Sequence, residues 1–165
     1  MEYAKETKDR GTSLGFAAST NGTLGDEALV RFLAENDFEL QLSWDGAAQE
    51  LRAPGTGTVV RRFVRLLAAA DPQWFRRRVR VAFTLTPRNV PFLAESVVAF
   101  LDAGVRNVVV APAAAVSWPS PERIEEAFDR AFEDVVRSVA PLARAGGDMP
   151  VWFLRPPAAP AHPFA

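Results

Sequence analysis

The stretch Phe38-Glu39-Leu40-Gln41-Leu42-Ser43 alternates apolar and polar side chains, which is the pattern of a β-strand with one buried face. The same alternation recurs over residues 79–86, where the apolar side chains again fall on a single face. Between these two stretches, residues 59–67 repeat apolar side chains at helical spacing. A strand, a helix and a second strand in this order predict a parallel βαβ unit, so the fold class is α/β.

Working outward from this unit, the pattern repeats along most of the chain. Strands are predicted over residues 14–19, 38–43, 79–86, 106–111 and 149–154, and helices over residues 26–35, 59–71, 89–103 and 120–139. Residues 45–57, rich in Gly, Ala and Pro, are predicted as a loop. The run Val108-Val109-Val110 is typical of a strand buried on both faces. Pro141 predicts that the last helix ends near Val139.

About five parallel strands separated by helices fit part of a (β/α) TIM-like barrel with outer helices, or an open doubly wound sheet. In a barrel the apolar strand faces point outward to the helices and leave a polar inner face suited to a ligand. The alternative is a sheet with one solvated face, and the pattern by itself leaves both open.

Composition excludes several classes of protein. The 165 residues suit one domain, expected over residues 1–155, followed by a disordered Pro- and Ala-rich tail over residues 156–165. A net charge of -1 gives no reason to expect nucleic acid or an anionic membrane as partner. The chain has no cysteine, and His162 is its one histidine, so disulfides, thiol nucleophiles and Cys- or His-rich metal sites are not expected. The first residues do not form a secretory signal, which predicts a cytoplasmic location.

Several short motifs resemble the radical SAM superfamily, in particular the peptide- and protein-modifying subgroup similar to anaerobic sulfatase-maturating enzymes. The resemblance covers roughly residues 15–112. The motifs, in the family's order, are Thr20-Asn21-Gly22-Thr23-Leu24, Ser43-Trp44-Asp45-Gly46, Arg52, Gly55-Thr56-Gly57, Thr86-Pro87-Arg88-Asn89 and Leu101-Asp102-Ala103-Gly104-Val105-Arg106.

The resemblance implies roles for individual residues. Ser43 and Arg52 would contact the ribose and the carboxylate of S-adenosylmethionine (AdoMet), since a hydroxyl can bond a ribose and a guanidinium can pair with a carboxylate. Asn21 would also face AdoMet, although an Asn-Gly pair is equally an ordinary turn. The remaining implied site residues are Val110 and Ala111 beside the adenine, and Gln41, Asp45, Thr84 and Thr86 along the substrate; Asp45 can also simply orient its loop.

The chain departs from the family in the part that carries the chemistry. The family's Cys-x3-Cys-x2-Cys loop, which holds a [4Fe-4S] cluster, and its Gly-Gly-Glu-Pro motif are both absent. We therefore expect a partial barrel, from the third strand onward, that is inactive alone, whereas a longer parent would cleave AdoMet and act on a peptide or protein. The alternative is a Cys-less, non-catalytic module that binds a peptide, a nucleotide or a partner subunit. Self-association through the open edge of the first strand is also expected.

Overall fold

The computed structural model describes residues 15–113, 116–118, 121–145 and 150–153. Within these residues one sheet of five parallel strands runs in chain order. The strands are β1 (Ala17–Thr20), β2 (Glu39–Ser43), β3 (Val79–Leu85), β4 (Val108–Pro112) and β5 (Val151–Phe153). A doubly wound sheet would reverse this order at one point, so the order confirms the barrel-type arrangement.

The connections between strands are helical, and side-chain caps fix where two of the helices begin. The helices are α1 (Glu27–Glu35), α2 (Gln49–Arg52), α3 (Gly57–Ala70), α4 (Pro72–Arg78), α5 (Leu93–Asp102) and α6 (Pro121–Arg144), with 3-10 turns at Gly46–Ala48 and Val90–Phe92. Asp26 accepts the Leu29 amide at 2.8 Å at the start of α1. Asp71 accepts the amide of Trp74 at the start of α4, at 2.9 Å. Such caps satisfy amides that have no partner inside the helix.

The helices cover one face of the sheet. The strand side chains on that face are almost fully buried, whereas their sequence neighbours on the other face stay partly or fully exposed. The buried set is Leu40, Leu42, Val79, Val81, Phe83, Leu85, Val108, Val110 and Val151. Gln41, Ser43 and Thr84 lie on the opposite, open face. The sequence alternation therefore predicted correctly which face packs against helices.

Two short helices were not expected from the sequence. The segment 45–57 contains a 3-10 turn and α2 rather than a continuous loop. The run Arg76-Arg77-Arg78 belongs to α4, since Asp71 caps a helix whose first residue is Pro72. Both helices are too short to show a periodic apolar pattern, and each is stabilised by side chains elsewhere in the fold. The Trp74 indole nitrogen, for example, donates to the Phe38 carbonyl at 3.0 Å.

Two further expectations were wrong. Val109 lies on the open face and is only partly buried, so β4 is not buried on both faces. The last helix also continues past Pro141 to Arg144, and the Ala145 amide bonds to the Pro141 carbonyl at 3.1 Å. Pro141 removes one helical hydrogen bond and crowds the preceding turn, but the packed side chains of Ala131, Val135 and Val139 hold the helix in place.

Parts of some expectations lie outside the described residues. These parts are Leu14, Ser120, Met149, Leu154 and the tail over residues 156–165. The division into a domain over residues 1–155 and a disordered tail stays a prediction.

Candidate functional site

A cleft of about 300 Å³ lies at the carboxyl ends of β2 and β3. It is lined by Asp45, Ala48, Leu51, Arg52, Thr84, Thr86, Arg88 and Asn89. All of these residues follow, or end, one of the two neighbouring parallel strands. Parallel strands bring their carboxyl ends to the same edge of the sheet, where barrels of this kind carry their sites.

The loop that follows β2 is locked against α5. The Ser96 hydroxyl donates to the carbonyl of Asp45 at 3.0 Å and accepts the amide of Ala47 at 3.2 Å. Gly46 between them has a φ of +54°, a conformation that favours glycine. The buried Trp44 ring packs on Phe100 with ring centroids 4.9 Å apart. These contacts fix the position of the Asp45 backbone relative to the helix layer.

Asp45 and Arg52 form an ion pair at the floor of the cleft. Arg52 Nε lies 2.7 Å from Asp45 Oδ2, and the Asp45 side chain is 2% exposed against 39% for Arg52. Burial raises the pKa of the Asp45 carboxyl, while the Arg52 charge and the Thr84 backbone amide oppose that rise. Oδ1 of Asp45 is buried without a hydrogen bond of normal geometry among the described residues. The negative charge of the buried Asp45 carboxylate is therefore compensated by Arg52.

Gln49 connects this ion pair to its surroundings. Its side-chain oxygen accepts the Asp45 amide at 3.0 Å and Arg52 Nη2 at 3.1 Å, and its nitrogen donates to the Thr56 hydroxyl at 2.9 Å. Arg52 Nη2 also donates to the carbonyl of Ser43 at 3.0 Å. Gln49 is 2% exposed, so its amide is held in one place by partners on both sides.

Asn89 shapes the other wall of the cleft. Its side-chain oxygen accepts the Thr86 amide at 2.7 Å, and its nitrogen donates to the Thr84 carbonyl at 2.9 Å. The amide thus closes the end of β3 and leaves the Thr84 and Thr86 side chains along the cleft. Arg88, which precedes Asn89, lies at the rim.

The glycine-rich stretch before α3 is occupied by an internal carboxylate. Glu50 accepts the amide of Gly55 at 2.5 Å and the amide of Gly57 at 2.8 Å. These hydrogen bonds lower the pKa of Glu50. Glu50 therefore occupies the amides of Gly55 and Gly57 at the start of α3. These amides are not free to bind a phosphate.

The structure brings together only some of the residues that the sequence indicated. Asp45, Arg52, Thr84 and Thr86 line one cleft, and Ser43 joins them through its carbonyl. Gln41 lies on the same open sheet face as Ser43, one residue pair further from the cleft.

Residues on the outer strands lie differently. Asn21 follows β1, and its side-chain oxygen accepts the amide and the hydroxyl of Thr23, at 3.1 and 2.8 Å, as in an ordinary turn. Val110 is 1% exposed and belongs to the core beneath the helices, whereas Ala111 is half-buried on the open face. The Val110 side chain therefore points away from the open face of the sheet.

Three polar residues of the site were given no role from the sequence, although Asn89 belongs to one of the quoted motifs. Gln49, Asn89 and Ser96 are buried, and each holds a backbone group near the cleft. Ser96 had a readable signal, because it is a polar residue on the face of the helix that otherwise carries the buried apolar residues Leu93, Val97 and Phe100. Gln49 had none, since α2 itself was not expected.

Among the described residues, no group of three or more His, Cys, Asp or Glu side chains could hold a metal ion. In the same part of the chain, the helices lack the combined length and apolar character needed to span a bilayer.

The sequence matches no protein-family model and no curated protein. Solved structures show a closer likeness. Native anSMEcpe with bound AdoMet and Cp18Cys peptide matches with a TM-score of 0.70 at 16% identity, covering 92% of this chain and 44% of that one. Histidine-tagged anSMEcpe with bound AdoMet matches with a TM-score of 0.71, also at 16% identity, covering 92% of this chain and 43% of that one.

The chain spans less than half the length of these structures. The TM-score of 0.70 establishes a shared fold, and at 16% identity the likeness extends to the fold alone. Together, the five parallel strands in chain order and this likeness show that the chain has the fold of part of a TIM-like barrel, similar to the corresponding part of the anSMEcpe structures.

Proposed function

We propose that this chain is the AdoMet- and peptide-contacting part of a radical SAM-type barrel. One observation carries the proposal. A cleft with a held arginine lies at the carboxyl ends of β2 and β3, in a fold shared with structures that contain AdoMet and a peptide. We also propose that the protein is located in the cytoplasm and that its partner is a peptide or a protein.

In this proposal Arg52 contacts the AdoMet carboxylate and Ser43 the ribose, because both stand where β2 ends. Asn21 and Ala111 stand at the ends of β1 and β4 and would complete the AdoMet side. The buried Val110 would contribute its backbone only.

The substrate side would be lined by Gln41 and Thr84 on the open face, with Thr86 and Asp45 in the cleft. The polar groups of Gln41, Thr84 and Thr86 can accept or donate to a peptide backbone, whereas the buried Asp45 carboxylate would act through Arg52. Arg52 cancels the charge of Asp45, so this wall does not repel an anionic group as an unpaired carboxylate would.

The [4Fe-4S] cluster of the family does not fit this chain. The family's cluster is held by three cysteine thiolates, and the 165 residues contain no cysteine. We therefore assign the residues of this chain to binding and orientation only. Alone, the chain should form no 5′-deoxyadenosine after anaerobic treatment with iron and sulfide, and product at the level of one per chain would refute this assignment.

AdoMet binding is tested directly on the full chain labelled with ¹⁵N. We expect AdoMet to shift the amide signals of Ser43, Arg52 and the residues that end β1 and β4. Arg52→Ala should abolish those shifts. Arg65→Ala, which removes an exposed arginine on the outer side of α3, serves as the matched control and should leave them unchanged. Shifts confined to the outer helices, or none at millimolar AdoMet, would contradict the proposal.

The second candidate is a non-catalytic binding module for a peptide, a nucleotide or a partner subunit. The absence of cysteine favours it, because binding needs no cluster. The same titration separates the two. If a peptide shifts the amide signals of Gln41 and Thr84 while AdoMet shifts none, the binding module is favoured.

A further inference from the structure

The cleft arginine has few donors left for a ligand. A guanidinium carries five N–H groups, one on Nε and two on each terminal nitrogen. In Arg52 the Nε group faces Asp45 Oδ2 at 2.7 Å, and Nη2 donates to the Ser43 carbonyl and to the Gln49 side chain at 3.0 and 3.1 Å. Among the described residues Nη1 has no hydrogen-bond partner, so the two Nη1 groups are the donors that remain.

This donor count decides how Arg52 can meet an anion. A bidentate contact with a carboxylate uses either Nε with one terminal nitrogen, or both terminal nitrogens. The first pairing needs Nε, which Asp45 holds, and the second needs Nη2, whose two N–H groups already have acceptors. Neither bidentate contact is available while the ion pair with Asp45 and the two Nη2 hydrogen bonds persist.

The acceptors that hold Arg52 are themselves fixed. The Asp45 backbone is bonded on one side to Gln49, at 3.0 Å, and on the other to Ser96, also at 3.0 Å. Gln49 is anchored in turn by Thr56. If Arg52 swung out toward a ligand, the buried Asp45 carboxylate would lose its cationic partner, which is strongly unfavourable. Ligand binding therefore leaves the ion pair and the hydrogen bonds of Arg52 in place.

We propose that Asp45 and Gln49 are positioning residues that hold Arg52 so that Nη1 alone faces the cleft, and that the cleft contacts one oxygen of an anionic group rather than both. The inference deepens the function proposed above and rests on it for the identity of the ligand, AdoMet. The held state of Arg52 does not depend on the proposed function, because it follows from contacts within the chain.

The free chain tests the held state through the side-chain ¹⁵N signals of its arginines. In the unaltered chain we expect resolved Nη2 hydrogens and a slowly exchanging Nε hydrogen on Arg52, unlike the averaged signals of the exposed Arg65. Asp45→Asn removes the charge at constant shape and should speed exchange of the Arg52 Nε hydrogen about tenfold or more, as expected when the anion held against Nε is removed.

Two further variants keep this test decisive. Asp71→Asn makes the same chemical change at a helix cap outside the cleft and should leave Arg52 unchanged. Gln49→Met removes one acceptor of Nη2 at similar size and should average the Nη2 signals, even if Asp45→Asn does not fold. Averaged signals on Arg52 in the unaltered chain, or no response to either cleft variant, would overturn the inference.

Saturation with AdoMet then tests the single-nitrogen contact. We expect the Nη1 signal of Arg52 to shift and the Nε and Nη2 signals to stay. A shift of Nε or Nη2 comparable to that of Nη1 would show a bidentate contact and refute the inference. If AdoMet shifts nothing, the proposed function fails, whereas the free-chain spectra still decide whether Arg52 is held with Nη1 as its one available nitrogen.

Discussion

Gly46 and Ser96 touch so closely that no side chain fits between them. A Cβ atom placed on Gly46 would lie 2.6 Å from the Ser96 Cβ and 2.8 Å from its Cα. The same serine binds the backbone on both sides of Gly46, through the Asp45 carbonyl and the Ala47 amide. This contact sets the position of the loop that carries Asp45, and so it ties the cleft to α5.

Gly46→Ala should lower the free energy of unfolding by about 3 kcal/mol, combining the left-handed backbone cost with overpacking of a tight contact. Gly55→Ala is the matched control, since Gly55 has a φ of +78° but nothing within 4 Å of its would-be Cβ. The control should lose only about 1 kcal/mol, the backbone cost alone. Urea denaturation measures both values. Equal losses would show that Ser96 yields and that the contact does not fix the loop.

The Glu50→Gln substitution should lower the melting temperature less at acid pH than at neutral pH. The pKa of Glu50 is lowered from its ordinary value of 4.5 by the Gly55 and Gly57 amides. A lowered pKa gives stability that is present above pH 4.5 and is lost as the pH falls through the folded-state pKa. The difference in melting temperature between the unaltered chain and Glu50→Gln should therefore shrink below pH 4.5. A difference that is constant from pH 7 to pH 3 would argue against the caps at Gly55 and Gly57.

For Asp45→Asn, the stability of the unaltered chain relative to the variant should change with pH in the opposite direction. Burial raises the pKa of Asp45 above its ordinary value of 3.8. A raised pKa favours the folded chain most below pH 3.8, and this contribution is lost as the pH rises through the folded-state pKa. The free energy of unfolding of the unaltered chain, relative to Asp45→Asn, should therefore fall as the pH rises above 3.8. A relative stability that instead increases with pH would mean that Arg52 outweighs burial.

We predict that the chain self-associates at micromolar concentration. Among the described residues β1 pairs only with β2, so its other edge presents unpaired backbone groups. Leu29 and Phe32 on the neighbouring α1 are about two-fifths exposed, at 39% and 40%. Light scattering measures the association, and a stable monomer would contradict the prediction.

A charge on the edge strand should reduce this association. Ala17→Lys places an ammonium on the exposed side of β1, where natural edge strands carry lysine against pairing. Thr58→Lys adds the same charge on the exposed surface of α3 and serves as the control. If both variants lower association equally, net charge rather than the strand edge is responsible.

The period of apolar residues by itself determined the layers of this protein. Alternation in β2 and β3 places Leu40 and Val81 under the helices and Gln41 on the open face, since successive strand side chains point to opposite sides. The order of strand and helix patterns, with the motifs at Ser43 and Thr86, indicated a sequential barrel-type sheet. These features are local, because each depends on a few consecutive residues.

The candidate site needed the tertiary structure, because its decisive contacts join residues far apart in the chain. Ser96 reaches Asp45 across 51 positions of sequence, and no local pattern records that approach. The α2 helix brings Gln49 and Arg52 beside Asp45, yet its four residues are too few for a periodic signal. The motif indicated that Arg52 belongs to the site; the packing around it decided that Nη1 is the one nitrogen it offers, since burial gives the other donors partners that are costly to leave.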